Sequence, residues 1–518
     1  MSTREMRHAP TAENHPDALK PADLARLINS VILPGFVGTT VPQWLASALR
    51  NGLAGVVFFG HNIDPDSPAQ VAALSAAIRA ENPDAVIGVD EEGGNVTRLQ
   101  TRDGSTVPGA AVLGALNDLA TTEAAGRAIG RLCRDAGINL AIAPVADVNT
   151  NPLNPVIGVR AFGADTELVS AHTAAAVKGI QALRVAACAK HFPGHGDTMA
   201  DSHMDAARVD LTMAEMAANH LPPFRAAVAA GTAAVMSAHI IIPELGEAPA
   251  TLIPAASALL REMDFDGVLI TDALDMAAVR ATVGPGEGGV LALLAGNDLL
   301  CVGNPLNAYT TGRDDEACYT EVYDALHAAA VSGRLPLEVL RRAAARVQAL
   351  AEWSAGPVSA DAAEEKFDGA GWVSVAARAA RIDSLGARPV LSGAGRVTLV
   401  DARAEPNMAA GPTANFLATA LGRYAVTEVA AAEISGVELE VALMQSAGVG
   451  ESVVLVLVDS LGSAGQQETM EMVFSTVPQA VCVNAGLAPR QSTPYSAIHT
   501  HGFSRVTAEA VVRILETP

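Results

Sequence analysis

Short apolar runs rich in valine, isoleucine and alanine recur along the first two thirds of the chain, and longer stretches with apolar residues at helical spacing separate many of them. Such near-continuous apolar runs are typical of strands buried on both faces of a parallel sheet, and the longer stretches predict the helices that cover it. The predicted strands are Val31–Pro34, Gly55–Phe59, Val86–Val89, Asn139–Ala143, Val185–Ala189, Ala233–Ser237, Gly267–Ile270 and Asp298–Val302. The predicted helices include Pro42–Asn51, Pro68–Glu81, Thr121–Asp135, Asp165–Gly179 and Met213–Ala230.

About eight strand–helix units in roughly 330 residues match the size of a (β/α)₈ barrel. We therefore predict an α/β protein with a TIM-type barrel over residues 21–353, preceded by a flexible tail over 1–20. A linker over 354–370 leads to a smaller C-terminal α/β sandwich domain over 371–518. In that second domain the pattern predicts a helix over Gly371–Ile382, followed by strands that again alternate with helical segments: Arg396–Val400, Tyr424–Val429, Ser452–Val458 and Ala480–Val483.

The charge balance narrows the possible partners. The chain carries 34 Lys and Arg against 56 Asp and Glu, a net charge of −22, and has no basic run, so we expect it to bind neither nucleic acid nor an anionic membrane.

The five cysteines form no CxxC pair, which favours free thiols in a reducing compartment. The first 20 residues have no apolar signal core, so we expect a cytoplasmic protein, either a monomer or a homodimer.

Polar residues follow six of the predicted strands. In a (β/α)₈ barrel the side chains just past the C-terminal end of each strand converge on one mouth, so these residues predict a polar pocket there. They are Gly60-His-Asn62, Asp90-Glu-Glu92, Asp147-Val-Asn149, Lys190-His191, Ser237-Ala-His239 and Asp272.

The densest polar segment is Lys190-His-Phe-Pro-Gly-His-Gly-Asp-Thr-Met-Ala-Asp-Ser-His203, in which proline and glycine exclude a regular helix. A zinc or iron site is one interpretation, but no HExxH pattern is present and Lys190 would repel a cation. Acid/base catalysis with binding of ligand hydroxyls uses the same residue types without a metal, and a purely structural loop is the third interpretation. The spacing of Asp201 and His203 would let the carboxylate orient the imidazole. We predict no metal and no cofactor.

Asp272 directly follows an apolar strand in the segment Asp264-Phe-Asp-Gly-Val-Leu-Ile-Thr-Asp272. A carboxylate at that point is held rigidly by the sheet and faces the mouth of the barrel. Asp275, three residues later, is better interpreted as a helix cap or a hydrogen-bonding loop residue.

These motifs resemble glycoside hydrolase family 3, and more narrowly its β-N-acetylhexosaminidase branch, which removes N-acetylglucosamine from muropeptides in cell-wall recycling. The segment from Lys190 to His203 is similar to the family signature, and its Gly-Asp-Thr…Asp-Ser-His extension separates this branch from β-glucosidases. Asp90-Glu-Glu-Gly-Gly-Asn-Val-Thr-Arg98 matches the family's Asp-x-Glu-Gly-Gly-x-Val-x-Arg pattern. Asn154-Pro-Val-Ile-Gly-Val-Arg-Ala-Phe-Gly163 also matches, except that Ala161 stands where the family usually has serine.

The resemblance implies a retaining exo-β-N-acetylglucosaminidase that acts on muropeptides or chitin-derived oligosaccharides. It places the nucleophile on Asp272, the proton carrier on His203 and the partner of that histidine on Asp201. The sugar-binding residues it implies are Asp90, Arg98, Arg160, Lys190 and His191. The alternative for the two arginines is an ion pair with a neighbouring barrel carboxylate.

Three other functions remain open at this point. A phosphorylase of the same family would use phosphate instead of water, and a β-glucosidase would lack the Asp-Ser-His element. A glycan-binding protein without activity would be expected to lose the nucleophile or the dyad, yet Asp272, Asp201 and His203 are all present. The role of the second domain is not indicated by any motif.

Overall fold

A computed structural model describes residues 19–67, 69–199, 207–307, 314–359, 369–383, 391, 395–403, 414–447 and 452–517. Two of the predicted catalytic residues, Asp201 and His203, lie outside the described residues. So do residues 1–18 of the predicted tail and residues 360–368 of the predicted linker.

The first domain alternates strands with helices, as its apolar pattern predicts. Its strands are β1 (Ile32–Pro34), β2 (Gly55–Phe58), β3 (Val86–Val89), β4 (Leu140–Ala141), β5 (Ala186–Phe192), β6 (Ala234–Ser237), β7 (Val268–Thr271) and β8 (Leu300–Gly303). Its helices are α1 (Pro21–Asn29), α2 (Gln43–Arg50), α3 (Gln70–Glu81), α4 (Ala110–Leu116), α5 (Leu119–Asp135), α6 (Thr166–Gln181), α7 (Met213–Asn219), α8 (Pro222–Ala229), α9 (Pro254–Arg261), α10 (Ala277–Arg280), α11 (Pro285–Leu294), α12 (Asp315–Val331) and α13 (Leu337–Ser354). Short 3₁₀ turns cover Gly60–Asn62, Gly158–Arg160 and Ala250–Leu252.

The strands of the first domain form a TIM-type barrel. Strands β2 to β7 are paired in chain order and parallel, and β1 pairs with β8. A parallel bridge between Ile270 and Leu299 continues β7 toward β8, and the Ala54 N–H donates to the Asn29 carbonyl at 2.9 Å beside β1. One interior cluster contains side chains from all eight strands, which is the filled core expected of such a barrel: Leu33, Val57, Val86, Leu140, Cys188, Met236, Ile270 and Cys301.

One predicted helix is wrong in its extent. The stretch Met213–Ala230 folds as two helices, α7 and α8, rather than one. Pro222 and Pro223 have no N–H to donate to the preceding turn, so they end α7 and begin a new helix. A Thr212–Glu215 capping box fixes the start of α7.

The second domain is an α/β sandwich around a six-stranded sheet in the order β11-β10-β12-β13-β14-β9, in which only β9 is antiparallel to its neighbour. Its strands are β9 (Arg381–Asp383), β10 (Arg396–Asp401), β11 (Ala425–Ala430), β12 (Ser452–Val458), β13 (Val481–Asn484) and β14 (Ala497–His499). Its helices are α14 (Gly369–Ala379), α15 (Phe416–Ala420), α16 (Gly436–Ala447), α17 (Ala464–Thr476) and α18 (Arg505–Glu516), with a 3₁₀ turn at Ala431–Glu433.

The second domain contains two strands that the sequence pattern does not predict, β9 and β14. The predicted helix Gly371–Ile382 ends at Ala379, and β9 begins two residues later. Both strands have three residues, which is too short for an alternating pattern to register. They are held by their pairing with each other, a contact more than 100 residues apart in the sequence.

The two domains share apolar packing. Trp372 on α14 and Val506 on α18 belong to the same core cluster as the barrel helices. Val112 on α4 is fully buried in a smaller cluster with Ala376 and Ala510 of the second domain. The interface is therefore a continuation of the barrel core, rather than a polar contact between two finished surfaces.

Most of the cysteines belong to these apolar cores. Four of the five are buried, and all five are free, which agrees with their prediction as thiols. Burial raises the pKa of the Cys133 and Cys301 thiols well above the usual value, so both act as small core residues. Within the part of the chain that the structure describes, no helix is both long and apolar enough to traverse a bilayer.

Candidate active site

A cleft of about 570 Å³ opens at the C-terminal ends of the barrel strands. Six of the eight predicted site residues line it together, although they are up to 182 positions apart in the sequence: Asp90, Arg98, Arg160, Lys190, His191 and Asp272. Asp201 and His203 belong to the segment outside the described residues. The barrel therefore collects the predicted sugar-binding residues and the predicted nucleophile at one mouth.

Lys190 sits near the end of β5 and is almost completely buried. Its Nζ donates to Asp90 Oδ1 at 2.9 Å and lies 2.7 Å from Glu92 Oε1. Burial alone would lower the pKa of Lys190, but the two carboxylates raise it above its usual value. Burial would likewise raise the pKa of Asp90, whereas Lys190 and Arg98 hold it below its usual value. Both groups are therefore charged at neutral pH.

Arg160 forms a two-pronged ion pair with Glu92. Its Nε and Nη2 donate to the two carboxylate oxygens at 3.0 and 2.7 Å, and Nη1 donates to the Val156 carbonyl at 3.1 Å. Burial opposes ionisation of Glu92, but Arg160 and Lys190 keep the pKa of its carboxyl far below the usual value. The alternative of an ion pair with a barrel carboxylate is thus realised for Arg160. Arg98 also faces a cleft carboxylate, with Nη2 3.8 Å from Asp90 Oδ2.

Asp147 anchors the loop that follows β5. Its Oδ2 lies 2.7 Å from His191 Nδ1, and its Oδ1 accepts the backbone N–H of His195 at 2.6 Å. Asp147 is fully buried, yet His191 holds the pKa of its carboxyl below the usual value. Burial, aided by the neighbouring His191, lowers the pKa of His195 to about 4. His195 is therefore neutral at pH 7.

Asp272 follows β7 directly and is fixed by backbone contacts. Its own N–H donates to the Ser237 carbonyl at 2.9 Å, and its Oδ1 accepts the Ala273 N–H at 2.8 Å. The carboxylate is thus oriented by the ends of two neighbouring strands. Asp275 accepts from Asn304 N–H and from Asn307 Nδ2, each at 3.2 Å, which makes it the hydrogen-bonding loop residue expected from the sequence.

Two residues that the sequence analysis placed at the barrel mouth without a role contribute to the site, Glu92 and Asp147. A signal for Glu92 was available: side chains alternate along a strand, and Val86 of β3 points into the barrel. The same alternation carried past the strand end puts Asp90 and Glu92 on the inner side and Glu91 on the outer side. For Asp147 the sequence gives only its position after a predicted strand, which does not identify its partner.

The histidine-rich loop does not gather ligands for a metal where it is described. Among residues 19–199 and the other described ranges, no group of three or more His, Cys, Asp or Glu side chains is placed to hold a metal ion. The charge of Lys190, at the start of the loop, also disfavours a cation there.

Residues 38–350 match the family described as Glycosyl hydrolase family 3 N terminal domain. The chain belongs to glycoside hydrolase family 3. It is therefore a glycoside hydrolase, and the family resemblance of its motifs is confirmed. The match covers almost the whole barrel, including every described residue of the cleft that the motifs identified.

Relatives within family 3 include a β-hexosaminidase from Stenotrophomonas maltophilia strain R551-3. It is 37% identical to this chain over 319 residues, which are 59% of this chain and 91% of that protein. A solved structure of a family 3 β-N-acetylglucosaminidase from Paenibacillus sp. FPU-7 has a TM-score of 0.82 at 29% identity and is matched over 96% of this chain and 97% of its own. That coverage extends the likeness to the second domain and confirms the barrel-plus-sandwich architecture.

A β-N-acetylhexosaminidase from Beutenbergia cavernae DSM 12333 is also similar in structure. Its TM-score is 0.56 at 29% identity, and the match covers 64% of this chain and 98% of that chain. The similar structures thus include one that matches little more than the barrel and one that matches both domains of this protein.

Proposed function

We propose that this family 3 enzyme is a retaining exo-β-N-acetylglucosaminidase. The observation that carries the proposal is Asp272, a carboxylate fixed at the end of β7 and opening onto a cleft that also holds the Asp90–Lys190 pair. The names of its relatives, β-hexosaminidase and β-N-acetylglucosaminidase, support N-acetylglucosamine as the sugar.

In the proposed reaction, the ionised Asp272 attacks the anomeric carbon while His203 donates a proton to the leaving oxygen. This gives a covalent glycosyl-enzyme ester and the free aglycone. His203 then removes a proton from water, the water attacks the anomeric carbon, and the ester bond to Asp272 breaks. Histidine can serve both steps near neutrality because its reference pKa is about 6.5, and Asp201 would stabilise its charged form.

The sugar would be held by the buried charges of the cleft. Asp90 can accept and Lys190 can donate hydrogen bonds to hydroxyl groups, and their mutual contact at 2.9 Å keeps both in position before the sugar arrives. Arg98 and His191 also line the cleft. Arg98 would supply further donors, and His191 would offer the ring nitrogen that does not face Asp147. Arg160 would act partly through Glu92, because its guanidinium is already committed to that carboxylate.

The proposed substrates are cell-wall muropeptides or chitin-derived oligosaccharides that end in β-linked N-acetylglucosamine. The acceptor could be water or phosphate, because a neutral imidazole base does not repel an incoming anion as a carboxylate would. Hydrolysis is the proposed reaction, and phosphorolysis is an outcome of the test below.

The test compares aryl β-N-acetylglucosaminide with aryl β-glucoside, each with and without inorganic phosphate. We expect turnover of the first substrate only, with free sugar as the product in both buffers. Formation of a sugar 1-phosphate in phosphate buffer would show that the reaction is phosphorolysis rather than hydrolysis. Preferential cleavage of the glucoside would reject N-acetylglucosamine as the sugar.

Variants then test the catalytic roles. Asp272→Ala and His203→Ala should each lower turnover by several orders of magnitude, whereas Asp266→Asn, at the opposite end of the same strand, should retain wild-type turnover. With azide added, Asp272→Ala should form the α-glycosyl azide, because azide attacks from the side that the carboxylate occupied. His203→Ala should form the β-azide through the intact covalent intermediate. The same azide anomer from both variants would contradict these assignments.

A further inference from the structure

The second domain touches the segment that carries two of the proposed sugar-binding residues, Asp90 and Arg98. This segment leaves β3 and forms a tight turn, in which the Glu92 N–H donates to the Val96 carbonyl at 3.0 Å and the Val96 N–H donates to the Gly93 carbonyl at 3.2 Å. We call residues 90–98 the β3 hairpin. Its apex carries Asn95, while Asp90 and Arg98 stand at its two ends beside the cleft.

Asn95 receives a hydrogen bond from the other domain. The backbone N–H of Phe503, just before α18, donates to Asn95 Oδ1 at 2.8 Å. The residue before it, Gly502, has φ +143°, and a Cβ there would lie 2.9 Å from the same oxygen. Only glycine therefore combines this backbone conformation with this close approach.

The donor side of this contact is rigid. Phe503 is buried, its ring stacks against Phe416 with centroids 5.7 Å apart, and the Arg403 guanidinium lies 4.1 Å from the ring centroid on its face. Arg403 is in turn held by Asp401 at the end of β10, through contacts of 2.9 and 2.7 Å. The position of the Phe503 N–H is thus set by the core of the second domain.

The acceptor side is coupled to the cleft. Within the β3 hairpin, Glu92 is bound to Lys190 and Arg160, and Asp90 is bound to Lys190. Because residues 90–98 form a tight turn, a displacement of Asn95 would also displace Asp90 and Glu92. It would therefore change the positions of the charges that are proposed to hold the sugar.

We propose that Asn95 is a positioning residue through which the second domain fixes the β3 hairpin for sugar binding. This inference rests on the proposed function, since it uses Asp90 and Arg98 as sugar-binding residues. It gives the second domain a role in substrate binding at the barrel site, although the two are far apart in the sequence. Asn95 would act on substrate binding rather than on the reacting atoms.

The test uses the full-length enzyme and an aryl β-N-acetylglucosaminide. Asn95→Ala removes the acceptor and should raise KM about two- to tenfold with little change in kcat, because the lost contact supports binding in the ground state and the transition state alike. Asn95→Asp keeps an acceptor oxygen and should restore most of the wild-type KM. An unchanged KM in Asn95→Ala, or no rescue by aspartate, would overturn the proposal.

Gly502→Ala approaches the same contact from the second domain. Backbone strain at φ +143° should lower the melting temperature in both backgrounds. The new methyl group should raise KM in the wild-type background and should add little to KM in the Asn95→Ala background, where the oxygen it meets is gone. Additive effects on KM would overturn the proposal.

A control separates positioning from general weakening of the interface. Val112→Ala removes buried volume between α4 and the second domain, so it should lower the melting temperature and leave KM unchanged. If Val112→Ala raised KM as much as Asn95→Ala does, the effect of Asn95 would be explained by a weaker interface, and the positioning role would be rejected. If the wild-type enzyme does not turn over the substrate, the proposed function fails first and this inference fails with it. If the wild-type enzyme turns over the substrate and the Asn95 variants have the same KM, the proposed function stands and this inference fails.

Discussion

Replacing Glu91 with glutamine would show how a buried carboxyl beside the active site makes stability depend on pH. The Glu91 side chain is fully buried, on the opposite side of the backbone from Asp90 and Glu92. Its Oε2 accepts the backbone N–H groups of Arg98 and Leu99, each at 3.0 Å. Its Oε1 is also buried and makes no hydrogen bond of normal geometry with the described residues, although the nearby Thr97 side chain favours the ionised carboxylate. Burial raises the pKa of Glu91 to about 7, although these hydrogen bonds oppose the change.

The sign of the effect follows from comparing the folded and unfolded chains. The unfolded carboxyl loses its proton near its ordinary pKa of 4.5, whereas the folded one keeps it until about pH 7. The protonated Glu91 therefore contributes stability that is complete below pH 4.5 and is lost as the pH rises through 7. At about 1.4 kcal/mol for each pH unit between the two values, the free energy of unfolding should fall by about 2–3 kcal/mol between pH 5 and pH 8.

Glu91→Gln cannot ionise, so it removes this slope. The amide also buries an N–H group without an acceptor, which should lower stability by about 1–3 kcal/mol equally at every pH. Urea unfolding of both proteins at pH 5, 6, 7 and 8 isolates the contribution of Glu91. Asp90, Glu92 and Asp147 have lowered pKa values, titrate below this range and are common to both proteins. A difference between the two proteins that stays constant from pH 5 to pH 8 would mean that Glu91 is already ionised in the folded state.

Two further substitutions, together with one control, test the charge and the packing of the site. Glu92→Gln leaves two buried cations with one carboxylate fewer, so the free energy of unfolding measured with urea should fall by about 3–5 kcal/mol. Asp66→Asn breaks an exposed ion pair and should change it by less than about 1 kcal/mol; equal effects would show that the buried cations do not depend on Glu92. Gly196→Ala places a Cβ onto the Val148 carbonyl oxygen and must displace the histidine-rich loop, so kcat on the aryl substrate should fall at least about tenfold. A wild-type kcat in that variant would show that the shape of this loop does not matter for turnover.

Much of the barrel could be predicted because its strands are buried on both faces and therefore appear as unbroken apolar runs. The strand ends were less predictable where polar residues remain in the sheet. The sequence predicts that strand β5 ends at Ala189, but the strand continues to Phe192. Lys190 pairs with Val145 and Phe192 pairs with Ser237, while the side chains of Lys190 and His191 line the cleft. A prediction from apolar runs therefore misses the last residues of a strand when those residues are polar.

The sequence predicts which residues meet at the cleft but not how they are paired; their roles in catalysis and sugar binding stay predictions. Strand-end positions and the family motifs identified Asp90, Lys190 and Asp272, since a barrel brings its strand ends together whatever their sequence separation. The pairing of Arg160 with Glu92, 68 positions apart, depends on where a 3₁₀ turn places the guanidinium, and no local pattern encodes that. The geometry of Asp201 and His203 relative to Asp272 remains a prediction.

The continuous apolar packing between the domains has a consequence for comparing long and short members of the family. Trp372 and Val506 cover apolar side chains of the barrel helices. A fragment that ends at Ser354 would therefore expose an apolar surface to water. Hybrids that exchange barrels between one-domain and two-domain enzymes would therefore need matched substitutions on α4 and its surroundings. We therefore expect the barrel of this protein to be unstable without the second domain, and both domains to melt as one cooperative unit.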